Sequence, residues 1–177
     1  MVNSGRARVS LAIFLMIVRV AAYAGPLTGT VVSVADGDTI TVLDANREQH
    51  KIRLAAIDAP EKAQPFGQRS KESMSTLVFG KAVDVLWDKR DRYQRIVGKV
   101  MVADPNCRTT PCPKTLDAGL AQITVGLAWW YRKYAREQSV EDAQRYEFAE
   151  REARAKHAGL WADGQPIPPW DWRKGER

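Results

Sequence analysis

The chain has 177 residues, 45% of them hydrophobic and six of them Trp, which suits one domain with a sizeable core and gives no sign of a second domain or a repeat. Its formal charge of +6 includes Arg6, Arg8 and Arg19; loss of the first 24 residues would remove these cations and no acid, leaving 153 residues and a net charge of +3. So small a charge excludes a global electrostatic attraction to nucleic acid, and any such affinity must come from local clusters.

In chain order, residues 1–24 read as an export signal: Arg6 and Arg8, an apolar run from Val9 to Val18, and Ala22-Tyr23-Ala24 as a small-x-small cleavage site. The expected location is periplasmic or secreted. The run is too short to span a bilayer comfortably, and Arg19 near its end keeps an uncleaved membrane anchor or a plain N-terminal segment open as alternatives. The mature domain is then expected over 25–165, with a Pro- and Trp-containing tail over 166–177.

Thr30–Val34 and Thr39–Leu43 are β-branched runs flanking an Asp-Gly-Asp turn, and Asp44-Ala45-Asn46 turns the chain into a third strand near Gln49–Ile57. A helix is expected at Gln68–Phe79, with Met74, Leu77 and Val78 at helical spacing and Gly80 as its stop. Ala82–Trp87 and Ile96–Val102 bring the strand count to five, separated by the charged turn Asp88–Gln94. Cys107 and Cys112, the only cysteines, lie in a Pro-rich loop; after an export signal they suggest a local disulfide, with two free thiols as the alternative in a reducing compartment. So small a ring stabilises by only about 2 kcal/mol.

A second helix is expected at Leu116–Val125, capped by Thr115 and ended by Gly126. The third runs from Ser139 to about His157, with Ser139 and Asp142 resembling a capping box. The tail, with Pro166, Pro168 and Pro169 among Trp161, Trp170 and Trp172, reads as too proline-rich for regular structure and as packed onto the domain through its tryptophans. Five short strands interrupted by one helix and followed by others fit an α+β fold: a five-stranded Greek-key barrel of the OB type with about three helices outside it.

Five motifs carry a resemblance: Asp36-Gly37-Asp38-Thr39, Ile52-Arg53-Leu54, Ile57-Asp58-Ala59-Pro60-Glu61, Asp91-Arg92-Tyr93-Gln94-Arg95 and Gly126-Leu127-Ala128. In this order and spacing they resemble the staphylococcal nuclease-like, or thermonuclease, family from about Gly29 to Trp161. The resemblance implies a secreted endonuclease that acts on DNA and RNA with little sequence preference, leaves 3′-phosphate ends, needs Ca²⁺ and works as a monomer without a stable protein partner. It places the calcium carboxylates at Asp38 and Asp58, a backbone oxygen ligand at Ala59, a water-activating carboxylate at Glu61 and phosphate arginines at Arg53 and Arg95. Residue 59 departs from the pattern, which has Thr there; a backbone ligand survives the change to Ala, and a side-chain hydrogen bond does not.

The residue types suit that chemistry. Two ionised carboxylates about 4 Å apart repel by roughly 4 kcal/mol at an effective dielectric near 20, so facing aspartates need a shared proton or a cation. Oxygen donors without thiolate or imidazole suit Ca²⁺ or Mg²⁺, and Ca²⁺ better tolerates an irregular shell. Arg53, charged in an otherwise apolar strand, must point out of the barrel or have a partner, and a guanidinium can grip two phosphate oxygens at once. Asp36 reads as a turn residue. Tyr93 and Tyr131 match positions of rings that stack on bases, with Tyr134 as the alternative to Tyr131; Lys62, Arg132 and Lys133 are candidates for attraction to the phosphate backbone. A rival class, a non-catalytic nucleic-acid-binding module on the same fold, would be free to lose Asp38, Arg53, Asp58, Glu61 or Arg95, and all five are present.

Overall fold

Alternation along five strands decides which side chains fill the centre of the protein, whose computed structural model describes residues 25–175. The export-signal reading lies outside the described residues. β1 (Leu27–Val34), β2 (Thr39–Asp44) and β3 (Gln49–Leu54) form an antiparallel meander. The two-residue β4 (Ile57–Asp58) and α1 (Gly67–Val78) precede β5 (Ala82–Arg90) and β6 (Ile96–Val102). β5 pairs antiparallel with β1 and β6, and β6 runs parallel to β3, which closes β3-β2-β1-β5-β6 into a barrel. This is the five-stranded barrel expected.

Inside it lie Val31, Ile40, Val42, Ile52, Val83, Val85, Ile96, Val100 and Val102, essentially without solvent contact. Each such side chain stabilises the fold by about 1.5–3 kcal/mol. An irregularity in β1 between Val31 and Ser33 shifts the register by one residue, so that Val31 and Val34 both face inward.

The helices follow the sequence closely, with differences at their ends. The second, α2 (Ala118–Thr124), is capped not by Thr115 but by Asp117, whose carboxylate accepts from the Gly119 and Leu120 amides at 2.9 and 3.2 Å. Leu116 and Asp117 pair with β6 as β7 (Leu116–Asp117), which shortens the helix at its start. A carboxylate held by both the turn amides and Tyr146 Oη, at 2.9 Å, outcompetes a hydroxyl as cap. β8 (Trp129–Trp130) then pairs with β4, and α3 (Val140–Ala155) starts at Ser139, whose Oγ accepts from the Asp142 amide at 3.1 Å. Only half of the expected capping box forms, because the Asp142 carboxylate pairs with Lys99 at 2.8 Å.

The tail differs most. It packs down through its tryptophans as expected, but it is not irregular: Pro169–Gly175 forms a fourth helix, α4. Proline is at home in the first turn, where its missing N–H has no partner to lose, and Arg173 and Lys174 suit the last turn. No helix among the described residues is long and apolar enough to cross a membrane.

Candidate active site

The site begins with strand register. Thr39 lies opposite Arg53 in the β2–β3 pairing, so the turn that precedes β2 sets Asp38 beside Arg53. Asp36 shapes this turn, with its Oδ1 accepting from the Asp38 amide at 3.0 Å. Gly37 is required by close approach, because a Cβ there would overlap Ser70 of α1. The buried Gln122 side chain fastens the turn by donating to the Gly37 and Ser70 carbonyls.

After β3, Ala56 adopts a φ of 62°, in the left-handed region, and turns the chain out of the barrel sheet into β4. There β4 pairs with β8 and presents Asp58 to the same space. Arg53 points out of the barrel and has partners: Nη1 meets Asp38 Oδ2, and Nη2 donates to Asp58 Oδ1 at 2.8 Å. The Ala59 amide also donates to Asp38 Oδ2, at 2.7 Å, so a backbone group orients this carboxylate where residue 59 has no hydroxyl to offer.

The two carboxylates are deeply buried, Asp58 at 1% exposure and Asp38 at 5%. Burial pushes the Asp58 carboxyl above its ordinary range, against the hydrogen bond from Arg173 and the charge of Arg53. Burial and then the charge of Asp38 push Asp36 up to about 7. Burial works against the charge of Arg53, but Asp38 and Asp58 hold its pKa above the ordinary value. Three carboxyl groups near one guanidinium make this end of the cleft an acidic, anionic pole.

Glu61 lies at the rim of this pole. Its amide donates to Gln64 Oε1 at 3.0 Å, and Gly67, where a Cβ would overlap the Glu61 carbonyl, lets α1 pack against the loop. Its Oε1 accepts from Arg173 Nη1 at 2.5 Å, while Arg173 Nη2 donates to Asp58 Oδ2 at 2.7 Å. Burial opposes the charge of Arg173, but these bonds to Asp58 and Glu61 hold its pKa above the usual value.

Across the cleft, the turn after β5 aims Arg95. Asp91 Oδ1 accepts from the Tyr93 and Arg95 amides, both at 2.9 Å, and Oδ2 accepts from Arg95 Nε at 2.7 Å. Gln94, with a φ of 63°, closes the turn. Tyr93, 64% exposed, stands beside it, with Arg92 and Arg95 over its ring. Asp38, Arg53, Asp58, Ala59, Glu61, Tyr93, Arg95, Tyr131 and Lys133 all line one cavity of about 690 Å³, together with Tyr134 and Arg173.

Two of the sequence-derived candidates lie outside that cavity. Lys62 is exposed beside it, and Arg132 turns away, pairing with the buried Glu150 at 2.6 Å and lying 4.5 Å from the Trp130 ring centre. Tyr131 and Tyr134 both line the cleft and meet edge to face at 5.0 Å. Cys107 and Cys112 are joined as a disulfide in the expected loop. A second group of possible ligands, Asp44, Glu48 and His50, sits on the β2–β3 hairpin, but Asp44 is already engaged by the Asn46 and Glu48 amides and by His50.

The chemistry of the donor set at the anionic pole fits a hard cation. Its donors are oxygens alone, two of the carboxylates are buried, and the position between Asp58 and Glu61 is filled by the guanidinium of Arg173. Arg173 and Trp170 are the site residues that the sequence reading missed. The available signal was Pro169 followed by Trp170 and Arg173 three residues apart, which puts the ring and the cation on neighbouring turns of one helix face.

The family profile described as "Staphylococcal nuclease homologue" matches residues 51–163. An "Uncharacterized endonuclease" of Haemophilus influenzae is 39% identical over 150 residues, covering 85% of this chain and 75% of its own. "Protein ParB" of Escherichia coli is 38% identical, covering 94% of this chain and 90% of its own. A "Micrococcal nuclease" of Shigella flexneri, also 38% identical, covers 96% and 93%.

Proposed function

This chain belongs to the staphylococcal nuclease homologues and is a nuclease, and from that premise we propose an exported, calcium-dependent endonuclease that hydrolyses phosphodiester bonds of DNA and RNA with low sequence specificity and leaves 3′-phosphate ends. The observation that carries the reading is that Asp38, Arg53, Asp58, Glu61 and Arg95, supplied by four separate stretches of chain, line one cleft. A module that only bound nucleic acid could use the barrel and its aromatic rings, but it would have no need of Glu61 beside buried aspartates.

Asp38 and Asp58, with the Ala59 backbone oxygen, would hold the Ca²⁺, which when bound supplies positive charge against the phosphate oxygens. Glu61 accepts the proton of the attacking water as a general base. Arg95 has its Nε held by Asp91, which leaves its two terminal nitrogens without a hydrogen-bond partner among the described residues and able to stabilise charge that builds on phosphorus oxygens in the transition state. Arg53, with Nη1 and Nη2 on the two aspartates, holds both in place from the barrel wall and adds its positive charge beside the phosphate. Tyr93 and Tyr131, with Tyr134 beside it, offer aromatic faces to bases, and Lys133 adds a cation for the backbone. One copy of the chain supplies the whole set, so a monomer suffices.

The test is to incubate protein beginning at Gly25 with single- and double-stranded DNA and RNA in Ca²⁺, Mg²⁺ or chelator. Chelation should abolish cleavage, and Ca²⁺ should restore it better than Mg²⁺. Full cleavage in excess chelator would overturn the metal assignment. Export is checked separately by fractionating expressing cells and measuring the mass of the product, which should start at Gly25.

A further inference from the structure

The cation-binding carboxylates already have an occupant. Arg173 donates to both oxygens of Asp58, at 2.7 and 3.3 Å, and to Glu61 at 2.5 Å. Its helix lies beyond residue 163, where the match to the family ends. We propose that Arg173 is a tethered competitor for the metal ion: it neutralises Asp58 and Glu61 while the cleft holds no cation, must leave when one binds, and so sets the cation concentration at which the enzyme loads. This rests on the reading of Asp58 as a cation ligand.

The physical basis is that a guanidinium and a divalent ion seek the same oxygen lone pairs and repel each other at contact distance. Arg53 cannot be the one to yield, because it is fixed in β3 and is 16% exposed, whereas Arg173 is 39% exposed on the last short helix. That helix has seven residues, and Pro169 alone among them is buried. Trp170 stacks on Tyr131, with planes 3° apart and centres 5.1 Å apart, and meets Trp129 edge on. Gln64, whose Oε1 holds the Glu61 amide, donates to the Ile167 carbonyl at 2.6 Å. Docking therefore also covers one face of Tyr131, and release of the helix on loading would bare that face for a base. An ion that binds only the undocked form has its apparent affinity reduced by the fraction undocked.

Calorimetric titration with Ca²⁺ alone, without nucleic acid, tests the proposal on protein beginning at Gly25. Arg173→Gln should bind Ca²⁺ about 10-fold more tightly than the parent. Trp170→Ala, which loosens the helix without changing any charge in the cleft, should move in the same direction, and it serves if Arg173→Gln fails to fold by circular dichroism. Lys174→Gln, which removes the same charge from the same helix but pairs with Asp171 on that helix, should leave the affinity unchanged. Equal tightening by Lys174→Gln would reduce the effect to net charge and overturn the proposal. Equal Ca²⁺ affinity in the parent and a folded Arg173→Gln overturns the competitor while leaving the metal site standing. No binding at millimolar Ca²⁺ by either protein overturns both.

Discussion

Asp58 is held by two guanidiniums of very different origin. Arg53 comes from the barrel: its neighbours Ile52 and Leu54 are core residues, its strand pairs on both sides, and it also meets Asp38. Arg173 comes from a seven-residue helix at the far end of the chain, docked by buried Pro169, by the Trp170 indole against Tyr131 and Trp129, and by one side-chain amide. The same pair of charges can therefore be structural in one case and displaceable in the other. What separates them is how much packed, hydrogen-bonded chain must move for the contact to break.

Stability measurements in chelator can break this comparison. Arg53→Met leaves two buried carboxylates without their barrel partner and should cost about 3 kcal/mol or more in urea unfolding. A loss of similar size, spread over pH, is expected at Asp36. Its carboxyl is held at about 7 against an ordinary 3.8, so its contribution to stability is complete below about pH 3.8 and is lost as pH rises through about 7. Asp36→Asn should remove that loss, so the parent should fall relative to the variant across this window in chelator; parallel pH curves would contradict it. Arg173→Met should cost least, within about 1 kcal/mol, because Arg173 and Glu61 are partly exposed and screened by solvent and Asp58 keeps Arg53. Equal losses for Arg53→Met and Arg173→Met would erase the distinction between the two arginines.

The barrel half of the site was legible in the sequence for the same reason that it is rigid. Alternating β-branched runs fix strand register, and register alone sets the residue before β2 beside Arg53. The Asp91–Arg95 turn was legible because its contacts are local, with one carboxylate closing its own loop. The tail was not. Proline there reads as a helix breaker when counted by composition, yet Pro169 sits at the helix start, where it costs nothing. The contact from Arg173 to Asp58 spans 115 residues and follows from how Trp170 meets Tyr131, which no local pattern encodes. The cap of α2 failed for a related reason: Asp117 gains a partner in Tyr146, 29 residues on, that Thr115 lacks.

Turnover measured beside affinity tests most directly whether this cleft performs hydrolysis rather than binding alone. In a Glu61→Gln/Arg95→Ala double variant, the water loses its base and the transition state loses a charge donor that the ground state hardly uses. With the fold verified by circular dichroism and Ca²⁺ saturating, kcat on DNA should drop by about 10²-fold or more while substrate affinity changes far less. A folded double variant that cut DNA at the parent rate would contradict the assignment of these residues, whatever the fold and the metal site proved to be.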